Sequence, residues 1–332
     1  MSSKATVAAP SNIAFVKYWG TRDEARTIPY NPSISMTLTH CVSTCTVEYR
    51  AEGYDADEVL LRNESGSFGA APEDFARGVF RHLARLKEWA GVKGSFRVAT
   101  QNSFPTGAGM ASSASGFAAL ALATAAALGR QVDGAEASRL AILSGSGSAA
   151  RSVLGGYVEW PPPNDTAAWQ IAPPEHWDLR DVVAVVDSSP KEISSREGHR
   201  RAPTSPYWDR RLEALPERLE SVRRALAERE FDALGAVLEE EAVDLHLIAM
   251  SSRPPIFYWT AGTLEVLRRV RELREEGVAA YATIDAGPNV HLIAKPDAER
   301  RLVSALEDSA YVQSVIVDRV GAGPRTLTEH LV

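Results

Sequence analysis

The chain has 332 residues, of which 45% are hydrophobic, and a formal net charge of −7. This length and composition are typical of a globular protein with one large or two moderate domains. The negative charge disfavours nucleic acids and anionic membranes as partners, because both select surfaces rich in Lys and Arg. No stretch has transmembrane length and the first residues lack the apolar core of a signal peptide, so we expect a cytoplasmic protein.

Strand patterns dominate the first third of the chain. β-Branched residues recur with a period of two over residues 33–39 and 41–49, which predicts sheet strands. The only cysteines, Cys41 and Cys45, lie in this run. Because neither belongs to a group with zinc-ligand spacing, we expect buried free thiols in a reducing compartment.

A helix and a further strand precede a loop of small residues. Apolar spacing after Pro72 predicts an amphipathic helix that ends before Gly91, and residues 95–100 predict a strand. Residues 105–116 then read Pro-Thr-Gly-Ala-Gly-Met-Ala-Ser-Ser-Ala-Ser-Gly and run directly into an Ala/Leu-rich stretch with high helix propensity.

This Gly-rich segment indicates a polyphosphate-binding loop. Small residues let the backbone close around an anion, and the unpaired N–H groups of the first helical turn point at a phosphate. The segment is not a Walker loop, because no Gly-Lys-Ser/Thr follows, and it departs from GxGxxG at Ser112. Taken alone, it also fits a flexible loop that precedes a helix.

A second small-residue loop and a change of composition follow. Residues 135–143 predict a short helix that leads into residues 144–148, Ser-Gly-Ser-Gly-Ser, and residues 157–160 predict a strand. Proline clusters at residues 161–163 and 173–174 then interrupt the pattern, which indicates a domain boundary in this region.

The second half of the chain mixes runs of helix with runs of strand, so the predicted class is α+β. Charged helices with apolar stripes are predicted over residues 208–229, 231–248 and 259–276. Strands are predicted over residues 182–186, 279–284, 291–294 and 312–317. We expect the charge runs at residues 239–241 and 268–269 to be solvated helix faces.

The order of residues in the first loop resembles the ATP loop of the GHMP small-molecule kinases. Its signature is Pro-x-x-x-Gly-(Leu/Met)-x-Ser-Ser-Ala, and the matching positions are Pro105, Gly109, Met110, Ser112, Ser113 and Ala114. Residues 12–20, Asn-Ile-Ala-Phe-Val-Lys-Tyr-Trp-Gly, are similar to the mevalonate diphosphate decarboxylase branch. So are residues 144–160, 194–206 and 285–289, and the motifs keep their order over nearly the whole chain.

The resemblance implies the GHMP-kinase fold, an α+β fold with a ribosomal-protein-S5-domain-2-like N-terminal half and a GHMP ferredoxin-like C-terminal half. We expect an ATP-binding domain at residues 1–178 and a second domain at residues 179–332. The implied ligands are ATP, Mg²⁺ and a phosphorylated mevalonate, and the implied assembly is a homodimer. The implied nucleotide-binding residues are Pro105, Gly107, Gly109, Met110, Ala111, Ser112, Ser113 and Ala114, of which Ser112 and Ser113 are also candidate metal ligands.

Three residues carry the catalytic roles that the resemblance implies. Asp285 orients or deprotonates the C3 hydroxyl of the substrate, Lys17 keeps that carboxylate ionised, and Arg151 binds the C1 carboxylate that leaves as carbon dioxide. Without the resemblance, a turn-forming Asp, a lysine that reaches solvent from a strand and a surface Arg would be the simpler interpretations. The implied reaction phosphorylates the C3 hydroxyl and then expels phosphate and carbon dioxide.

The expected substrate-binding residues are Ala14, Tyr18, Thr21, Arg22, Ser146, Gly147, Ser148, Ser195 and Arg196. Thr21 stands where the diphosphate-specific enzymes usually have a lysine that binds the diphosphate. The absence of that lysine removes a charge-assisted contact. This departure slightly favours mevalonate 5-phosphate over the 5-diphosphate, although Arg22 or Arg196 is able to compensate. His199 occupies a position that is often methionine.

Two other functions remain open at the level of sequence. A kinase that stops at the 3-phosphate is the nearest, but such relatives lack the Asp and Lys pair, and both residues are present here. A nucleotide sensor without catalysis is the other alternative, and the retention of every candidate catalytic group argues against it.

Overall fold

A computed structural model of the protein describes residues 2–52, 56–63, 65–104, 112–160, 167–189 and 191–332. Its α-helices are α1 (Glu73–Ala90), α2 (Ser112–Ala127), α3 (Gly134–Ile142), α4 (Ser195–Arg201), α5 (Trp208–Glu228), α6 (Phe231–Ser251), α7 (Ala261–Glu275) and α8 (Glu299–Glu307). Its strands are β1 (Ser2–Val16), β2 (Thr21–Asp23), β3 (Ile28–Pro29), β4 (Ser33–Arg50), β5 (Glu58–Arg62), β6 (Phe68–Ala70), β7 (Ser95–Asn102), β8 (Tyr157–Trp160), β9 (Trp169–Ala172), β10 (Arg180–Val185), β11 (Ala280–Thr283), β12 (Val290–Ala294), β13 (Ser314–Arg319) and β14 (Arg325–Leu327).

The first sheet is built on the long antiparallel pair of β1 and β4. Its strand order is β14-β1-β4-β7-β5-β6, and β8 pairs with β4 and β9. The two runs predicted around residues 33–49 form the single strand β4, because β8 covers its first residues and β7 covers its last ones. Irregular register near Ala14 marks the end of β1, where the chain leaves the sheet and enters the site described below.

Helices α1, α2 and α3 bury their apolar sides against this sheet. Alanines on α2, including Ala118 and Ala119, are fully buried, and their small side chains let the helix lie close to β1 and β4. Helix α1 ends at Gly91, whose φ of 68° places it in the left-handed region that glycine tolerates. Cys41 and Cys45 are both buried and free, as predicted.

The second sheet has the order β11-β12-β10-β13 and is antiparallel throughout. Helices α7 and α8 pack on it, and one apolar cluster joins the two sheets through α5 and α6. That cluster includes Phe15 of β1, Val183 of β10, Leu219 of α5 and Leu234 of α6. Strand β14 then returns to pair with β1, so the last strand of the chain lies in the first sheet.

The mixed α+β class predicted from the sequence is confirmed, and the long helices and most strands lie within a few residues of their predicted bounds. The division at residues 178 and 179 stays a prediction. None of the helices in the described part of the chain combines the length and the hydropathy that a bilayer crossing requires.

Candidate active site

A cavity of about 750 Å³ opens where the end of β1 meets the 144–151 loop, the segment before α4 and the turn after β11. Its volume falls within the range of small-molecule sites. Most of the predicted site residues line it, namely Ala14, Lys17, Tyr18, Thr21, Ser112, Ser113, Ser146, Gly147, Ser148, Arg151, Ser195, Arg196 and Asp285. Asn12, Trp19, Lys191, Ser194 and His199 also line it.

Lys17 and Asp285 form an ion pair in this cavity. Lys17 Nζ lies 2.6 Å from Asp285 Oδ1 and also donates to the main-chain oxygen of Ala14 at 2.8 Å. The lysine side chain is 2% exposed and that of the aspartate is 24% exposed. The ammonium is therefore fixed by two acceptors, while part of the carboxylate remains open to a ligand.

The surroundings keep Asp285 ionised. Burial alone would raise the pKa of Asp285, but the charges of Lys17, His291 and Lys191 oppose it, and the net effect lowers that pKa below its usual value. A carboxylate that is ionised in the neutral range accepts hydrogen bonds only, so it is suited to orient or deprotonate a hydroxyl group.

The main chain of Lys17 is held by side chains from α5 and α6. Its N–H donates to Glu241 Oε1 at 2.9 Å, and its carbonyl accepts from Arg211 Nη2 at 3.3 Å and from Asn31 Nδ2 at 2.9 Å. Arg211 and Glu241 also pair with each other at 2.6 Å, and both side chains are completely buried. The prediction that residues 239–241 form a solvated face is wrong for Glu241, because its carboxylate turns inward to this pair.

Arg151 is buried at the cavity wall, where neutral side chains hold its guanidinium. Its guanidinium donates to Ser35 Oγ at 2.9 Å, to Asn12 Oδ1 at 3.2 Å and to Ser33 Oγ. Among the described residues no carboxylate lies within 4.0 Å of it, and burial lowers the pKa of Arg151 to about 10. A guanidinium that only neutral groups hold in place retains its charge for an anionic ligand.

The 144–151 loop approaches the aromatic wall of the cavity closely. A Cβ atom at Gly147 would lie 2.4 Å from the Trp160 ring and 2.7 Å from the Tyr18 ring, so only glycine fits there. Ser146 Oγ and Ser148 Oγ lie 3.2 Å apart on either side of it. The loop therefore places two hydroxyl groups and the start of a short 3₁₀-helix beside Arg151.

The wall formed by Tyr18, Thr21 and His199 is uncharged. The hydroxyl groups of Tyr18 and Thr21 share a hydrogen bond of 2.6 Å, and burial raises the pKa of Tyr18 to about 12. The Tyr18 and His199 rings lie 4.2 Å apart, and Ser195 and Arg196 line the cavity beside them. Two charged residues that act on the Tyr18 hydroxyl, Arg196 and Glu24, also line the cavity.

Two predicted residues lie outside the cavity. Arg22 is exposed on β2, next to Thr21, and side chains that follow one another in a strand point to opposite faces. Ala114 is completely buried in α2, among the residues that pack against the first sheet. The predicted nucleotide-binding residues Pro105, Gly107, Gly109, Met110 and Ala111 lie outside the described residues.

Sequence reasoning missed several residues of the site. Lys191 lines the cavity and donates to the main-chain oxygen of Ala286, next to Asp285. Asn12 bridges Arg151 and Ser152, donating to Ser152 Oγ at 2.8 Å. Asn12 is the first residue of the motif at residues 12–20 that also contains Lys17, so the motif could have indicated it. Nothing in the local sequence distinguishes Lys191 or Glu241 from solvated residues.

The metal-binding capacity of the described residues is limited. They contain no group of three or more His, Cys, Asp or Glu side chains that would enclose a metal ion. Mg²⁺ usually keeps several waters and binds through substrate phosphates with one or two protein oxygens. The hydroxyl-bearing Ser112 and Ser113, which line the cavity at the start of α2, fit that mode of binding.

Family models match both halves of the chain. The diphosphomevalonate decarboxylase-like N-terminal domain matches residues 9–168, and the mevalonate 5-diphosphate decarboxylase C-terminal domain matches residues 181–320. A diphosphomevalonate decarboxylase from Candida albicans is 32% identical over 98% of this chain and 99% of its own length. The enzyme of the same name from Bos taurus is 34% identical over 92% of this chain and 80% of its own length.

Solved structures agree with these matches. The mevalonate diphosphate decarboxylase from Enterococcus faecalis has a TM-score of 0.89 and 31% identity, covering 98% of this chain and 99% of its own. The enzyme from Staphylococcus aureus has a TM-score of 0.89 and 30% identity, covering 98% of each chain. Another similar structure, with a TM-score of 0.90, 31% identity and coverage of 98% and 99%, is a complex with MVAPP, AMPPCP and magnesium.

Proposed function

Because the chain belongs to the diphosphomevalonate decarboxylase family, we propose that it decarboxylates a phosphorylated mevalonate at the expense of ATP, with mevalonate 5-phosphate as its preferred substrate. The product is then isopentenyl phosphate. The observation that carries this proposal is the convergence of Lys17, Asp285 and Arg151 on one cavity.

The first step transfers the γ-phosphoryl group of ATP to the C3 hydroxyl of the substrate. Asp285 accepts the hydroxyl proton or orients the hydroxyl for attack, and Lys17 keeps that carboxylate ionised. The O3–Pγ bond forms while the bond to ADP breaks. Lys17 and Lys191 are the cations near Asp285 that offset the negative charge of the phosphoryl group in transit.

The second step eliminates the new phosphate group and the carboxylate together. The C3–O bond breaks and phosphate leaves with its electron pair, while the electrons of the C1–C2 bond form the C2=C3 double bond and release carbon dioxide. Arg151 holds the C1 carboxylate in a fixed orientation through its planar guanidinium, which Asn12, Ser33 and Ser35 hold in turn. The substrate therefore stays bound in the same position during both steps.

Ser112 and Ser113 are the described residues that would hold Mg²⁺ together with the nucleotide phosphates. When bound, the ion would neutralise phosphate charge during phosphoryl transfer. The residues of the chain then have to position the hydroxyl and the carboxylate, and the side chains described above do so.

The preference for one phosphate follows from the uncharged wall of the cavity. The hydroxyl groups of Tyr18 and Thr21 bond to each other and carry no charge, and Arg22 does not line the cavity, so we assign Arg196 to the C5 phosphate. Mevalonate 5-diphosphate is the second candidate, since the similar proteins from Candida albicans and Bos taurus are named for the diphosphate.

The test is a turnover assay with ATP, Mg²⁺ and mevalonate, mevalonate 5-phosphate or mevalonate 5-diphosphate, in which ADP and carbon dioxide are measured in the same reaction. We expect equal amounts of the two products, with the higher kcat/KM for the monophosphate. A higher kcat/KM for the diphosphate would establish the second candidate. ADP without carbon dioxide would mean a 3-kinase, and ATP binding without either product would mean a nucleotide-binding protein.

A further inference from the structure

We propose that His199 determines substrate specificity by donating a hydrogen bond from its Nε2–H to the C5 phosphoryl group of the substrate. This inference rests on the proposed function, because it takes a phosphorylated mevalonate as the ligand. It assigns a role at the uncharged wall to a residue that the reaction steps above do not use.

The tautomer of His199 is fixed by the main chain. The N–H of Gly20 donates to His199 Nδ1 at 2.9 Å, so Nδ1 is an acceptor and carries no proton. Burial lowers the pKa of His199 to about 3, so the ring is neutral in the physiological range. A neutral imidazole with an accepting Nδ1 carries its single proton on Nε2.

The Nε2 atom is free to meet a ligand. It has no hydrogen-bond partner among the described residues. It is also not one of the unpaired side-chain atoms of those residues that are buried away from solvent. The residue is partly exposed and lines the cavity together with Thr21, Ser195 and Arg196. The N–H group therefore meets the cavity at the end where these residues are expected to bind the C5 phosphate.

The ring is held rigidly in this orientation. Its centroid lies 4.2 Å from that of Tyr18 and 4.7 Å from that of Trp19, so the imidazole packs against both rings. Its neighbour Gly198 has no room for a side chain, since a Cβ atom there would lie 2.3 Å from Trp19. Helix α4 is thus packed tightly against Trp19, and the donor loses little conformational freedom when a ligand binds.

A neutral hydrogen-bond donor and a cation favour phosphate groups of different charge. A phosphate monoester carries about two negative charges at neutral pH, and a diphosphate carries more. One cation, Arg196, together with a neutral N–H matches the lower charge, whereas a lysine at position 21 would favour the higher one. The structure thus links His199 and Thr21 as two uncharged positions at this end of the cavity.

Two substitutions separate the two nitrogen atoms of the ring. The amide oxygen of His199→Asn reproduces the acceptor at Nδ1 but supplies nothing at Nε2, whereas the amide N–H of His199→Gln reproduces the donor at Nε2 but leaves the Gly20 N–H unpaired. Both variants lose the stacked ring equally. Differences between them therefore report on hydrogen bonding and not on packing.

The experiment is calorimetric titration of the full chain with mevalonate, mevalonate 5-phosphate and mevalonate 5-diphosphate, together with thermal unfolding and the turnover assay. We expect H199N to bind mevalonate 5-phosphate about tenfold more weakly than the wild type, because a hydrogen bond to a charged group is lost. Its affinity for mevalonate, which lacks the phosphate, should not change. H199Q should stay within about threefold of the wild type for the monophosphate while its Tm falls.

Equal losses of affinity for mevalonate 5-phosphate in both variants, or no loss in H199N, would overturn the proposal and leave His199 a structural acceptor for Gly20. A wild-type protein that binds mevalonate 5-phosphate without releasing carbon dioxide would overturn the proposed function alone, because the two variants would still decide the role of His199. If the wild type bound neither mevalonate 5-phosphate nor mevalonate 5-diphosphate, both the proposed function and the role of His199 would be overturned.

Discussion

Lys17 Nζ lies 2.6 Å from Asp285 Oδ1, although 268 positions of sequence separate the two residues. The lysine comes from the end of a strand of the first sheet, and the aspartate follows a strand of the second sheet. Their contact therefore joins the two sheets at the cavity. It also makes the protonation of the carboxylate depend on the lysine.

Replacement of Asp285 by Asn should abolish turnover while nucleotide binding stays within a few fold of the wild type. An amide of the same size cannot accept the hydroxyl proton, and the loss of a positioned base costs roughly 10² to 10⁴ in rate. Single-turnover release of ADP measures the effect. Asp308→Asn, at the exposed end of α8, is the control and should keep full activity. Near-normal turnover in the Asp285 variant would remove this residue from the mechanism.

Replacement of Lys17 by Met should move the acid limb of the kcat profile to higher pH. Burial raises the pKa of Asp285, and Lys17 is the foremost of the charges that lower it, so its removal lets the pKa rise. In the wild type the lowered pKa means that this pair stabilises the fold above the pKa of an unfolded Asp, and that the stabilisation is lost as pH falls through the folded value.

Profiles of kcat against pH, and urea unfolding at several pH values, test the effect of Lys17. Lys295→Met removes an exposed lysine that lies over the Phe231 ring, 5.2 Å from its centroid, and it should leave both profiles unchanged. An acid limb at the wild-type position in the Lys17 variant would show that this lysine does not govern the ionisation of Asp285.

Local patterns predicted much of the secondary structure, because local interactions determine those features. Helix α1 shows its apolar stripe and its closing glycine in the sequence, and β4 shows its alternation. The membership of β14 in the first sheet had no such signal, since three residues that pair with β1 look like any short extended segment.

The sequence predicted those residues of the site that lie in recognisable motifs. Lys17, Arg151 and Asp285 could be named from the resemblance, but no spacing along the chain indicates that they share a cavity. Glu241 shows most clearly what the sequence does not predict. Three consecutive glutamates on a helix are expected to be exposed, because burying their charges is costly. The burial of Glu241 depends on Arg211 and Arg218, which lie on another helix and provide the opposite charge.

Replacement of Arg151 by Lys should raise the KM for the phosphorylated mevalonate about 10- to 100-fold. A lysine keeps the charge but loses the planar fork that binds a carboxylate through two hydrogen bonds, and each bond to a charged group contributes about 1.5 to 3 kcal/mol. The KM for ATP should not change. Initial rates with each substrate varied in turn measure both constants, and an unchanged KM for the mevalonate would contradict the role of Arg151 as the carboxylate anchor.

The buried pair of Arg211 and Glu241 should affect activity and stability separately. In Glu241→Gln the amide oxygen still accepts the Lys17 N–H, so kcat should stay within a few fold. Arg211 would lose the charge of Glu241 and keep the ionic contact to Asp244 at 3.3 Å, and breaking a buried pair from one side costs about 3 to 5 kcal/mol, so Tm should fall.

The double variant Arg211→Met, Glu241→Leu should behave in the opposite way. Glu241 also pairs with Arg218 at 3.0 Å, but Arg218 keeps Asp244, so the two apolar side chains leave no unpaired charge and Tm should fall less than in Glu241→Gln. The main chain of Lys17 would keep only its contact with Asn31, so the ammonium would be positioned less accurately and kcat should fall on the order of tenfold or more. The matched control is Lys87→Met, Asp57→Leu, which removes a two-contact pair between α1 and the residue before β5. Its aspartate also accepts a main-chain N–H, that of Phe96, and the pair does not touch Lys17. If both double variants lost the same activity, Arg211 and Glu241 would be structural residues only, because the control pair makes no contact with the lysine.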